Sequence, residues 1–577
     1  MRGSFYGQAG RFFRAFHRKD QTSTSEKPDS ACHSSPPKPS PLRNFTRPTP
    51  PRRVKKPVMN SRTTHALILA VTLGGGFAGW WLTHKSIPKS PPKKTVAAAP
   101  ARIPDDPRPR AAKRAKHSTQ SDRSDPAARD AGALENQRWL SFADQAALDR
   151  FRAAAAERGI AILGTIDRLH TLHVGFLSPD DLAALLDGSE KSGFIFPVEL
   201  PTPRSAGIQE GAVGFGDGLL AWLGIDGDHS NFGRGVKIAI LDTGSTLPGA
   251  DNHFLIPAPE NPSDWNGHGT AVADLIRQIA PAAELQSWRI ANDDGQSNSF
   301  LLAQGILAAV DAGVDIINIS MSSYGQSDIL RDAVDLAHQA KVRIYASAGN
   351  EGYRQTAYPA AYDGVIGVGA IDANGSHLEF SNSGTVSMTA PGLDLVTAWT
   401  GGQSIYFSGT SASAPIGAAV LAATMSQGSP TISANQAYQK VAAHLNEAGA
   451  PGPDPYYGSG FVDLGRILRS NQPNFTDAAI ASHHFTTAPS GRTQVEVVVQ
   501  NRGNTLLVNT PVQVTTPSGT VTMNLTSLQP GQIGTFTLPI QLHKGSATVH
   551  SQVQTQTRDF SPSNNRRTDV YKSAQNP

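Results

Sequence analysis

The sequence predicts an α/β protein, a parallel sheet with helices on both faces, preceded by a small α+β module and followed by a β-sandwich. Three observations carry this. Near-continuous β-branched runs at residues 236–241, 314–319, 342–346 and 365–370 alternate with helical stretches at 270–279 and 300–312, and strands apolar on both faces belong to a sheet covered on both sides. Upstream of them, helical and alternating patterns are mixed within about seventy residues. Downstream of Asn471 the chain changes to short alternating strands with no helix signal. At 577 residues it exceeds what one hydrophobic core supports, so several domains are expected.

The upstream module spans 136–205. Leu148, Phe151 and Ala155 fall at helical spacing and Gly159 stops that helix, after which residues 160–163 and 169–176 read as strands. Ser178-Pro179-Asp180-Asp181 is a helix start, with a serine N-cap, proline in the first turn and acids at the positive end of the helix dipole. That helix is predicted to reach Leu186, and residues 193–200 to form a last strand. The parallel-sheet domain is assigned to 206–470. The sandwich is assigned to 473–575, with strands at 494–499, 512–514, 521–525, 534–542 and 547–553 and a turn at Pro517-Ser518-Gly519.

Charge is unevenly placed. Residues 1–62 carry a net +11 and 83–135 a net +6, which leaves −13 for the rest of a chain whose total is +4. The basic segments are rich in proline and serine, so 1–62 reads as a disordered tail and 84–135 as a disordered linker. The folded part is acidic, which argues against a nucleic-acid partner. Between the basic segments, residues 66–82 are free of charge and end in Trp80-Trp81. Residues 63–83 are therefore read as a single uncleaved signal anchor, with the domains downstream of it on the extracytoplasmic side of the membrane. The single cysteine, Cys32, allows no intramolecular disulfide.

Three motifs carry chemistry. Ile240-Leu241-Asp242-Thr243-Gly244 ends an apolar strand in a carboxylate that has no packing role there. Asn266-Gly267-His268-Gly269-Thr270 sets a histidine at a helix start. Gly409-Thr410-Ser411-Ala412-Ser413-Ala414-Pro415 sets a serine at another. A serine hydroxyl needs a base to take its proton, and that base needs an anion to fix its tautomer, so Asp242, His268 and Ser411 are the types required for nucleophilic catalysis. The Ser411 N–H at a helix N-terminus favours a developing oxyanion. Asn350, in Ala348-Gly349-Asn350-Glu351, can donate to the same oxygen.

In this order, and with Tyr358-Pro359-Ala360, Phe380-Ser381-Asn382-Ser383-Gly384 and Ala390-Pro391-Gly392, the chain resembles the subtilisin-like serine proteases over about 215–470. The resemblance implies an endopeptidase working through an acyl-enzyme, with protein or peptide substrate lying extended beside Ile317-Asn318-Ile319-Ser320-Met321. Ser320, Met321 and Ser322 are then the substrate-binding residues. It also implies that 136–205, by position and pattern, acts as an inhibitory pro-domain, with self-cleavage between about Leu200 and Phe215. Two departures stand out. Ser322-Ser323 follows Ser320-Met321 where the family commonly has glycine, which alters the rim of the pocket. Only one helix separates Ala271 from Ala280-Pro281, where many relatives carry a calcium-binding loop, so no metal or other cofactor is expected. The alternative is a catalytically silent member of the fold that binds a partner through its sandwich; activity of the 206–470 region on casein separates the two.

Overall fold

The computed structural model describes residues 96–98, 124–201, 209 and 211–573. The tail at 1–62 and the expected anchor at 63–83 lie outside the described residues. Among the described residues no helix is long and apolar enough to cross a membrane.

The centre is a seven-stranded parallel sheet in the order Met388–Pro391, Val365–Ile371, Arg343–Ser347, Ile316–Ile319, Lys237–Asp242, Glu284–Arg289, Ala250–Phe254. The four β-branched runs of the sequence occupy its interior, and Ile238, Ile240, Ile316, Ile317, Ile319 and Ala346 are essentially fully buried. One face packs against His268–Ile279 and Thr410–Met425, the other against Ser299–Asp311 and Asp328–Gln339. Thr410–Met425 is buried along its whole length, which explains why its sequence is apolar all round. The strand ends that carry Asp242 and Ser347 open onto the N-termini of the helices that begin at His268 and Thr410. In open parallel sheets this is the end where sites collect.

Upstream, Gln137–Ser141, Ala161–Ile166, Thr171–Gly175 and Lys191–Phe194 form an antiparallel sheet in the order Ala161–Ile166, Thr171–Gly175, Gln137–Ser141, Lys191–Phe194. The helices Gln145–Glu157 and Pro179–Ala183 interrupt it, giving a split β-α-β arrangement. The expected helix is capped by Asp144 and buries Leu148, Phe151 and Ala155 as its spacing required. The second helix stops three residues short of Leu186, and the first strand had no sequence signal. A short helix, Pro126–Asp130, capped by Asp125, lies within the span read as linker. The expected final strand breaks at Ile195-Phe196. Phe196 exchanges hydrogen bonds with Ser299, N–H to Oγ at 3.0 Å and carbonyl from N–H at 2.9 Å, and this turns the chain off the small sheet.

This module is cemented to the large domain. Trp139, Ile166, Ile195 and Val198 share one core with Phe300, Leu302, Ile306 and Ile329. His173, 5 % exposed, lies 5.2 Å from the Phe300 ring, with its Nε2 2.8 Å from Gln137 Oε1. Burial pushes its imidazole down to about 4. Its neutral form is therefore the one folding favours, so its contribution is complete above about pH 6.5 and lost as pH falls through about 4. His377, buried elsewhere, has the same sign. In the intact chain the thermal midpoint is expected to fall between pH 6.5 and 4, and to fall less in His173→Gln. An equal fall in both chains, read by calorimetry, contradicts this.

Downstream, Ala478–Thr487, Thr493–Asn501 and Ile533–Pro539 form one antiparallel sheet. Leu507–Thr516, Gly519–Leu528, Ser546–Val553 and Arg566–Lys572 form a second, with Val96–Ala98 along its edge. Val495, Val497 and Val499 of the first meet Val512, Val514 and Val549 of the second in one core, an arrangement consistent with a β-sandwich. Buried Arg466 joins it to the sheet domain, donating to the carbonyls of Arg502 at 3.0 Å and Leu445 at 2.7 Å.

Candidate active site

Asp242, the last residue of its strand, and His268, the first of its helix, are brought together. His268 Nδ1 lies 2.9 Å from both Asp242 oxygens, with Asp242 fully buried and His268 5 % exposed. Asp242 Oδ1 also accepts the Thr243 N–H at 2.8 Å. A carboxylate so held binds the Nδ1–H tautomer and leaves Nε2, on the far side of the ring, free to act as a base. Nε2 has no hydrogen-bond partner. Close approach of strand and helix depends on Gly269, where a Cβ would lie 2.3 Å from the Gly244 carbonyl oxygen.

The loop that carries His268 is braced from below. Asn266 Oδ1 accepts the His268 N–H at 3.0 Å, and the Asn266 N–H donates to Asp293 at 2.8 Å. Asp293 is gripped by both terminal nitrogens of Arg289, at 3.1 and 2.8 Å, and Arg289 also donates to the Thr243 carbonyl at 2.6 Å. Arg289 is almost fully buried and stands beside Asp242 in the ladder. One guanidinium thus ties the aspartate's turn to the histidine's loop. Sequence reading missed it, because its strand, Glu-Leu-Gln-Ser-Trp-Arg, has no apolar run.

Ser411 is the second residue of the Thr410–Met425 helix, which Gly409 opens at φ 129°, a conformation costly for any side chain. Its hydroxyl donates to the Ser320 carbonyl at 3.1 Å, and Ser320 Oγ donates back to the Ser411 carbonyl at 3.0 Å. Asn350 Oδ1 accepts both the Thr410 N–H, at 2.8 Å, and the Thr410 hydroxyl, at 2.9 Å. A backbone N–H can only donate, so the amide orientation is fixed and Nδ2 is turned the other way. That Nδ2 is buried without a partner. The Ser411 N–H, in the first turn, has no intrahelical acceptor either. Two donors with nothing to bind therefore stand beside a serine, the arrangement an oxyanion requires.

Of the three expected substrate-binding residues, Ser320 and Met321 are fully buried, and the Met321 side chain joins the core. Their offering to the cleft is backbone. Ser322 exchanges both backbone hydrogen bonds with Glu199, each 3.0 Å. The strand Pro197–Glu199 is paired on its other side with Gln296–Asn298, so it lies between two walls, of which sequence reading named only one. The second wall is three polar residues after the Gly295 turn, too short to give a period. The altered rim is clamped. Ser323 and Tyr358 exchange backbone bonds at 2.9 and 2.8 Å, and the Tyr324 hydroxyl donates to Glu351. Burial, then the Glu351 carboxylate, pushes the Tyr324 phenol up, which keeps it a donor. Beside His268 opens a cavity of about 700 Å³ lined by Trp265, Trp399, Phe407, Leu200 and Pro201.

Residues 233–460 match the model of the Subtilase family, peptidase S8. The thermostable alkaline protease of Halalkalibacterium halodurans is 34 % identical over 252 residues, covering 41 % of this chain and 69 % of that protein. Subtilisin BL of Lederbergia lenta is also 34 % identical over 252 residues, covering 92 % of its length. The chain belongs to the subtilase family. It is a serine endopeptidase with the subtilisin-like α/β fold, and protein or peptide is its substrate class. The thermophilic serine proteinase of Bacillus sp. strain AK1, 34 % identical over 240 residues, covers 38 % of this chain and 60 % of that protein. Among the described residues no cluster of His, Cys, Asp or Glu is arranged to hold a metal ion.

Proposed function

We propose that this subtilase cuts peptide bonds with Ser411 as nucleophile, His268 as proton carrier, Asp242 as the anion that orients it, and Asn350 with the Ser411 N–H as oxyanion donors. The observation that carries this reading is the pair of unpartnered buried atoms, His268 Nε2 on the ring held by Asp242 and Asn350 Nδ2 on the amide held by Thr410, the residue before Ser411. Substrate adds as a strand between Gln296–Asn298 and residues 320–322, as Pro197–Glu199 does. Ser411 Oγ attacks the carbonyl while His268 takes its proton and passes it to the leaving amine. Water then resolves the acyl-enzyme by the reverse relay.

Residues 136–205 act as a pro-domain inhibitor. Support comes from the shared core with Phe300 and Ile306 and from Pro197–Glu199 filling the cleft. Removal is by the chain itself. The Ser411→Ala chain is expected to stay full length while wild type shortens, and equal shortening, followed by mass spectrometry, rejects self-processing. Residues 63–83 tether the enzyme to a membrane, with the protease on the extracytoplasmic side and the β-sandwich as a spacer. Their uncharged run and Trp80-Trp81 support this. Deleting 63–83 should move the protein from the membrane fraction to the soluble one.

A further inference from the structure

The exchange of bonds between Glu199 and Ser322 fixes more than the presence of a strand. In an antiparallel ladder the next pair to exchange both bonds lies two residues on. Residue 201 therefore falls opposite Ser320, with Leu200 between them donating its N–H to the Gly295 carbonyl at 2.9 Å. In that register the residue-201 N–H would go to the Ser320 carbonyl. Residue 201 is a buried proline and has no N–H. The Ser320 carbonyl instead accepts the Ser411 hydroxyl, and His268 Nε2 is left without a partner.

We propose that the bond following Pro201 is the one the chain cuts in itself, and that the missing N–H of Pro201 holds that cut back. This rests on the reading of Ser411 as the nucleophile. An ordinary residue at 201 would occupy the Ser320 carbonyl and free the hydroxyl to turn to His268. Proline leaves the carbonyl open, and it holds the hydroxyl proton that His268 must take. When the step does occur, the Ser411 proton passes to His268 Nε2, Oγ bonds to the Pro201 carbonyl carbon, and the bond to Thr202 breaks as its nitrogen takes that proton. Water then releases Pro201 as a carboxylate. The pro-domain is thus a poor substrate that dwells in the cleft, and Pro201 is a positioning residue.

The test follows conversion of the intact chain by mass spectrometry and sequences the new N-terminus in wild type, Pro201→Ala, Pro201→Gly and Pro203→Ala. One backbone hydrogen bond is worth about tenfold. Both substitutions at 201 are expected to speed conversion about tenfold, with the product beginning at Thr202 in every chain and Pro203→Ala unchanged. A product beginning elsewhere, no gain over Pro203→Ala, or no cutting in any chain overturns the inference. A wild type that labels at Ser411 with a fluorophosphonate yet begins elsewhere overturns this inference alone. Conversion of Ser411→Ala at the wild-type rate overturns the nucleophile reading and this inference with it.

Discussion

Replacing Ser411 with alanine is expected to lower kcat on a peptide substrate by about a millionfold, with KM and the thermal midpoint little changed. The size is that known for the equivalent serine of subtilisin, a member of the same family, and is carried over from it. The structural grounds are local. Ser411 is 2 % exposed, its side chain makes one hydrogen bond, to the Ser320 carbonyl, and its own carbonyl bond from Ser320 Oγ does not depend on that hydroxyl. Alanine therefore removes the proposed nucleophile and leaves one carbonyl to be satisfied by other means, while the helix stays in place. Activity is measured on protein freed of residues 136–205, and an added protease removes them from the variant. A residual kcat within a hundredfold of wild type contradicts the assignment.

Asn350→Ala is expected to cost about a hundred to a thousandfold in kcat, again the magnitude known for the equivalent asparagine of subtilisin. In the proposed role Nδ2 binds an oxygen that carries charge only in the transition state, so the loss should fall on kcat and not on KM. Alanine also strips Thr410 of the acceptor for its N–H and hydroxyl. Asn350→Asp keeps that acceptor but puts a carboxylate oxygen where the donor stood, so it changes only the side that faces the proposed oxyanion. A loss in Asn350→Asp as large as that in Asn350→Ala, or larger, assigns the effect to that side. A near-normal Asn350→Asp with an impaired Asn350→Ala assigns it to the Thr410 contacts and contradicts the oxyanion role.

The parts of this molecule that could be read from sequence are those where one pattern serves one purpose. Residues 236–241 and 365–370 are buried on both faces, so their β-branched runs could only be interior strands. The Asp242, His268 and Ser411 motifs sit at strand and helix ends, where their glycines mark close approaches such as that of Gly269 to Gly244. The elements that escaped notice serve edges or connections. Ala250–Phe254 is a half-exposed edge strand of mostly polar residues, and Gln296–Asn298 is three residues long. Residues 193–200 look like one strand because each half is apolar, yet the two halves belong to different sheets. The change of direction is set by Phe196 and Ser299, more than a hundred residues apart in sequence. Arg289 was invisible for a related reason: what makes it matter is that it joins Asp293, four residues on, to Thr243, 46 residues back.

The assignment of Ser411 as a nucleophile driven by His268 is tested most directly by mapping a fluorophosphonate adduct on the matured protein by peptide mass spectrometry. A single adduct on Ser411 is predicted, formed rapidly in wild type and at a rate reduced by several orders of magnitude in His268→Ala. An adduct on another residue, or labelling of Ser411 at the same rate without His268, would contradict it.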